Sequence, residues 1–159
     1  MKAVTVTILK KELNEHSHQE LIDICLKLAK FKKENKELLT YVLFDSRDED
    51  AYIREIKEEV DEAFSKLNHD SLYYVKKSLR KILRMLKKYI RYSKKKETEA
   101  DILLYFCGKL KELKPSHKRS LQIVNIYEQQ LRMAKKAVST LHEDIQYDFH
   151  LEIEELQGN

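Results

Sequence analysis

Five potential metal ligands or acid–base groups, His142, Asp144, Asp148, His150 and Glu152, fall within eleven residues near the end of the sequence. At 100° per residue a helix sets Asp144, Asp148 and Glu152 on one face and turns His142 and His150 elsewhere, so the spacing does not dictate a three-ligand site. An exposed acidic face is the expected role. His16-x-His18 beside Glu15 is a second small cluster, on a stretch polar enough to be a solvated turn. The sequence contains no glycine-rich phosphate loop, no Gly-x-Ser-x-Gly elbow, no His-Glu-x-x-His and no Cys-x-x-Cys. No catalytic residue, metal site or cofactor is therefore expected, and the chain reads as a non-enzyme.

The densest chemistry is electrostatic. Ser71 to Lys96 holds eleven Lys or Arg and no acidic residue. Residues 1–69, 70–96 and 97–159 carry net charges of −3, +10 and −3, so the positive excess of a chain with net charge +4 lies in one segment. On a helix, Leu72, Val75, Leu79, Ile82, Leu83, Leu86 and Ile90 share one face. The other face carries Lys77, Arg80, Lys81, Arg84, Lys88, Arg91 and Lys95, with Tyr73 among them, and these eight residues are the candidate site for an anionic partner. Asp70 to Tyr92, with Asp70 as cap, would span about 34 Å.

Three roles fit such a face. It can be solvated, or paired with an acidic neighbour. It can neutralise phosphates without sequence preference, with Tyr73, Tyr74, Tyr89 and Tyr92 stacking on bases. It can also dock an acidic protein segment or anionic lipid by complementarity. Lysine outnumbers arginine in the segment, which suits diffuse attraction better than bidentate recognition. The leading expectation is a scaffolding or interaction module that meets an acidic protein partner; nucleic acid is the alternative, and self-association is left open.

The elements that must position this face are helices. Two Gly and one Pro in 159 residues leave few places for hairpins. The expected fold is all-α: one domain over 1–159, with seven or eight helices stacked as antiparallel hairpins in an irregular bundle or a short HEAT/armadillo-like solenoid. Thr5 or Thr7 caps a first helix bearing Ile8, Leu9 and Leu13, although the alternation of Val4, Val6 and Ile8 also permits a short strand. Ser17-His-Gln-Glu20 is a capping box for a helix burying Leu21, Ile24, Cys25, Leu28 and Phe31. Lys32 to Lys36 either turns the chain or bends one rod, which continues through Leu38, Leu39, Val42 and Leu43.

Ser46-Arg-Asp-Glu49 is a second capping box, before a helix that buries Tyr52, Ile53, Ile56, Val60, Phe64 and Leu67 and shows Glu55, Glu58, Glu59, Asp61 and Glu62 outward. This acidic helix and the basic one are expected to form an antiparallel hairpin. Thr98-Glu-Ala-Asp101 opens a sixth helix with Ile102, Leu103, Phe106, Cys107 and Leu110, in which Gly108 permits a close neighbouring backbone. Pro115 marks a boundary. A seventh helix carries Leu121, Val124, Tyr127, Leu131, Ala134, Val138 and Leu141, an acidic helix runs on to Leu156, and Gly158-Asn159 frays.

Cys25 and Cys107 lie in apolar runs, as reduced core thiols of an intracellular protein would. No run reaches the roughly 20 apolar residues of a membrane span and the start lacks a signal peptide, so a cytoplasmic location is expected. Sliding the chain by 82 residues aligns Leu21 with Leu103, Cys25 with Cys107, Leu28 with Leu110 and Leu39 with Leu121. A duplication of two-helix repeats and the chance phasing of amphipathic helices both account for it.

Leu9-Lys-Lys-Glu-Leu13, Glu20-Leu-Ile22, Tyr41-Val-Leu-Phe44, a basic helix, Asp101-Ile-Leu-Leu-Tyr-Phe106 and a late helix with Tyr127-Glu128, in that order, resemble an uncharacterised family of small all-helical bacterial proteins. The resemblance implies an all-helical fold and a bacterial origin; it carries over no activity and no site residues.

Overall fold

The computed structural model describes residues 1–114 and 116–158, without the side chain of His117. The boundary expected at Pro115 and the fraying of Asn159 lie outside the described residues. Eight α-helices form, and there is no strand among the described residues: α1 Val6–Asn14, α2 His18–Phe31, α3 Lys33–Leu43, α4 Glu49–Ser65, α5 Leu72–Ser93, α6 Lys96–Lys111, α7 Leu121–Val138 and α8 Glu143–Gln157. Short 3₁₀ turns at Asp45–Arg47 and His117–Arg119 lead into α4 and α7. The chain divides into two compact units, Met1–Phe44 and Asp45–Asn159.

In the second unit α6 is the central helix, with α4, α5, α7 and α8 packed on it. Ala100, Ile102, Leu103, Leu104, Phe106, Cys107 and Leu110 are all buried, so its apolar face takes up more than half of the circumference, with Asp101, Tyr105 and Lys109 half-buried on the remainder. Each neighbour offers it a stripe. On α4 the expected set of Tyr52, Ile53, Ile56, Val60 and Phe64 is buried, as is Leu67 just beyond it. On α5, Val75, Leu79, Ile82, Leu83 and Leu86 are buried, Ile90 is half-buried and Leu72 is exposed. The α7 stripe begins later than expected: Leu121 is 75% exposed at the helix start, and Ile123 and Ile126 take up the packing. Phe64 and Phe106 meet edge to face at 5.8 Å.

The helix ends follow local hydrogen bonding. Thr5 caps α1 by accepting from the Ile8 amide, so Val6 and Ile8 are helical and the strand does not form. Ser17 and Glu20 make the capping box reciprocally. Lys32 is extended, at φ −140° and ψ 145°, so α2 and α3 are separate helices and not one bent rod. The Ser46 box is replaced: Ser46 lies inside a 3₁₀ turn, and Asp48 caps α4 by accepting from the Ala51 amide at 3.0 Å. Ser71, not Asp70, caps α5. Lys96 and not Thr98 opens α6, after Lys94 turns the chain in the left-handed region at φ 58°. A Cβ on Gly108 would lie 4.0 Å from Leu156 Cδ2, so its close neighbour is the α8 side chain and not a backbone.

The 82-residue slide does not follow the elements. It lays α3 across the 3₁₀ turn His117–Arg119 and the start of α7, and it pairs an exposed Cys25 with a buried Cys107.

The first unit departs most from expectation. Tyr41 is the one buried residue of its 44. The stripe of Leu21, Ile24, Cys25, Leu28 and Phe31, expected as core, is half-buried at Leu21 and Ile24 and open elsewhere, with Leu28 56% and Phe31 77% exposed. Three short helices make too few layers to enclose one another's apolar faces. Cys25 is accordingly an exposed thiol, whereas burial pushes the Cys107 thiol up to about 12.

Truncation should separate the two environments. Leu86→Ala, at a fully buried site, should destabilise the protein by about 2–5 kcal/mol in chemical denaturation. Leu28→Ala, with little cavity to leave, should cost under about 1 kcal/mol, and equal losses at the two sites would contradict this assignment of the core.

Candidate anion-binding face of the basic helix

Whether α5 presents its charge depends on where α4 spends its carboxylates. The two helices do run antiparallel: the Tyr52 hydroxyl donates to the Tyr89 carbonyl at 3.0 Å, their rings meet edge to face at 6.4 Å, and Tyr89 donates to Glu59 at 2.9 Å. At the joint, Glu49 on the first turn of α4 accepts from Ser93 at the end of α5, from Thr98 on α6 at 2.7 Å and from Lys95 at 3.0 Å. One carboxylate thus fastens three helix ends, and the buried Thr98 hydroxyl is satisfied by it.

The remaining acidic contacts of α4 are made largely to α6. Asp61 accepts from the Tyr105 hydroxyl at 2.7 and 2.8 Å and lies 3.0 Å from Lys109 Nζ. Lys57 pairs with Asp101 at 2.6 Å and stands 5.1 Å over the Tyr105 ring. Glu62 pairs within its own helix to Lys66. The Tyr105 hydroxyl, and secondarily Lys109, hold the Asp61 carboxyl below its ordinary range, while burial and Asp61 push Tyr105 up to about 12.

The candidate residues therefore divide. Lys77, Arg80, Lys81, Arg84 and Arg91 are exposed, with no ion pair to an acidic side chain among the described residues. Lys88 is half-buried with its ammonium 5.0 Å from the Tyr89 ring centre, and Lys95 is engaged by Glu49. Tyr73 is 60% exposed, packs edge-on against Tyr74 at 5.4 Å and lies under Lys76 at 5.8 Å.

Two hollows flank the open row. Between α4 and α5 a cleft of about 630 Å³ is lined by Ala63, Ile82 and Met85, with Glu59, Glu62, Lys66, Ser78 and Lys81 also on its walls. Between α5 and α7 a groove of about 490 Å³ brings Arg80, Arg84 and Lys87 opposite Gln122, Asn125 and Gln129. Lys76 bonds to Gln122 at the head of this groove. Gln130, 1% exposed, also lines it, and its Oε1 is buried without a hydrogen-bond partner. Such an orphaned acceptor is costly unless a ligand or water donates to it.

Sequence reasoning missed Lys87 and the whole α7 wall. The signal that was present is the spacing of Gln122, Asn125 and Gln129, an amide stripe on one helical face.

Two of the metal candidates are engaged in local hydrogen bonds. The His142 ring caps α8 by accepting from the Asp144 amide at 3.2 Å, and His16 Nδ1 donates to the Glu12 carbonyl at 2.8 Å. No three His, Cys, Asp or Glu side chains are grouped to hold an ion among the described residues. No helix among them is long and apolar enough to cross a membrane.

The Asp61 clamp has a pH signature. A depressed carboxyl adds stability above its unfolded-state pKa and loses it as pH falls through the folded one. Tyr105→Phe should raise the Asp61 pKa toward the ordinary carboxylate range in a carboxyl NMR titration, and its cost in stability should be largest near neutrality and fade in acid. An unmoved titration would mean that Lys109 alone sets it. No family model, curated protein or solved structure matches this chain.

Proposed function

We propose that the protein is a non-catalytic, cytoplasmic interaction module whose basic helix docks an acidic, amphipathic segment of a protein partner. One observation carries the reading: α4 turns Asp61 to α6, so Lys77, Arg80, Lys81, Arg84 and Arg91 stand in an exposed row with no ion pair among the described residues. The cleft beside the row adds what a protein partner needs besides charge. Ala63, Ile82 and Met85 offer apolar surface, with Met the most adaptable of them, and Glu59 and Glu62 on the α4 wall would hold the carboxylates of the segment to the α5 side, at Lys81. Carboxylates of such a segment would meet the row, and its apolar side chains would enter the cleft.

A second reading rests on the other flank. Arg80, Arg84 and Lys87 facing three amides, with the orphaned Gln130 acceptor between them, suit a phosphodiester strand whose base or sugar donates a hydrogen bond. Glu59 and Glu62 would repel a phosphate from the α4 side, so this strand would be confined to the α7 side.

Binding of two probes distinguishes them: a labelled helical peptide of alternating Glu and Leu faces, and a labelled random single strand, each at about 50 and 200 mM salt. The peptide should bind, and the triple variant Arg80→Glu, Arg84→Glu, Arg91→Glu should lose it by at least about tenfold while keeping the parent unfolding midpoint, because none of the three is paired. Strand binding that falls linearly in log–log salt dependence, without peptide binding, would replace the docking reading with the nucleic-acid one. Unfolding of the triple variant would show that these charges are structural.

A further inference from the structure

We infer that residues 1–44 form a self-association surface whose partner is a second copy of this chain. Each helix of this unit shows an apolar pair one turn apart: Leu9 and Leu13 on α1, Ile22 and Leu26 on α2, Leu38 and Val42 on α3. Helical faces of this kind are the faces that proteins bury. In this unit they stay open, and one residue in 44 is buried. Chains of this length rarely supply a sufficient core by themselves. The helices are nonetheless well formed, with the Thr5 cap and the Ser17–Glu20 box both in place, so the open faces belong to ordered elements.

The area matches what a dimer needs. Full burial of a Leu, Ile, Val or Phe side chain removes about 60–120 Å² of apolar surface at 25 cal/mol per Å². Fourteen large apolar residues of the unit, all more than a third exposed, therefore leave on the order of 400–800 Å². A stable interface takes about 800 Å² per partner, a little over half of it apolar. The unit can meet that from its own exposed residues.

Charge selects the occupant. The unit carries eight basic and six acidic residues, interspersed along the three helices and their connections. An anionic membrane would attract a basic polar face, and here Glu12, Glu15, Glu20, Asp23, Glu34 and Glu37 interrupt one. A strongly charged partner would find no complementary field. A twofold pair brings the same patch together with itself, so the mixed signs can match Lys to Glu across the axis while the apolar pairs close.

The test is light scattering of the full chain on dilution through the micromolar range, beside the double variant Leu26→Gln, Leu38→Gln. Gln is a good helix former, so helicity by circular dichroism should be kept. The expected result is a two-chain mass that halves on dilution, with the midpoint moved at least about tenfold to higher concentration in the variant. A second readout needs no variant. Cys25, exposed on α2, should react with a maleimide more slowly in the concentrated protein than in the dilute one, while Cys107 stays buried and unreactive throughout. A single-chain mass at every concentration with labelling independent of concentration would overturn the inference. So would a dimer unmoved by the double variant, or a monomer that co-sediments with anionic vesicles.

Discussion

Burial of α6 is the constraint on which the larger unit depends. A helix whose apolar face takes up more than half of its circumference needs cover from several sides, and α4, α5, α7 and α8 are the walls that give it. Each wall needs an apolar face only toward α6, which leaves its outer face free to carry charge. Phe106, Leu103, Leu104 and Leu110 are fully buried, and at about 1.5–3 kcal/mol for each buried side chain they outweigh any single surface ion pair, worth about 0–1 kcal/mol. The polar contacts therefore set the arrangement of the walls more than they hold them. Glu49 does this at one end, joining the ends of α4, α5 and α6, and Lys111 does it at the other by donating to the Glu155 and Leu156 carbonyls at the end of α8.

The open charge of α5 is a consequence of that geometry. An acidic helix beside a basic one would ordinarily be expected to neutralise it. The antiparallel hairpin does form, but Asp61 sits on the flank of α4 that faces α6, where Tyr105 and Lys109 take it up. Just past the C-terminal end of α5, Glu49 takes up Lys95. In the middle of the helix, Arg80 and Arg84 keep their charge because the packing of the apolar stripe turns them to the α7 side, away from the carboxylates of α4, while Lys81 lines the α4 cleft with no ion pair among the described residues. Hydrophobic register decides the electrostatics here, and not the reverse.

What the sequence made legible was local. The stripe of α4 is readable to the residue because a period of 3.6 identifies a face, and in a unit with enough layers a face finds cover. The same reasoning fails in α2, where Leu28 and Phe31 are as apolar as any residue of α4 yet stay exposed: periodicity names the face but is silent about what lies opposite. Capping shows the same limit on a smaller scale. Ser17-His-Gln-Glu20 forms because both partners are three residues apart and uncontested, whereas Ser46 loses its helix end to Asp48, an equally good cap nearer the apolar run. The anionic candidates were visible as charge, but their division was not. Lys95 differs from Arg84 in a neighbour contributed by a distant segment, Glu49, whereas Lys88 has the ring of the adjacent Tyr89 beside its ammonium. The groove to α7 joins residues some forty positions apart, and no pattern along the chain announces such a pairing.

The two units answer one physical requirement in opposite ways. Residues 45–158 satisfy their apolar faces internally and export charge, so what they can recognise is set by electrostatics along α5. Residues 1–44 satisfy almost nothing internally and carry both signs of charge in near balance, so what they can recognise is set by apolar area. Charge acts over a Debye length of about 8–10 Å and favours fast, salt-sensitive encounters, whereas apolar burial acts only at contact and is little affected by salt. Because the two surfaces lie in separate units and share no residue, loss of one would leave the chemistry of the other in place.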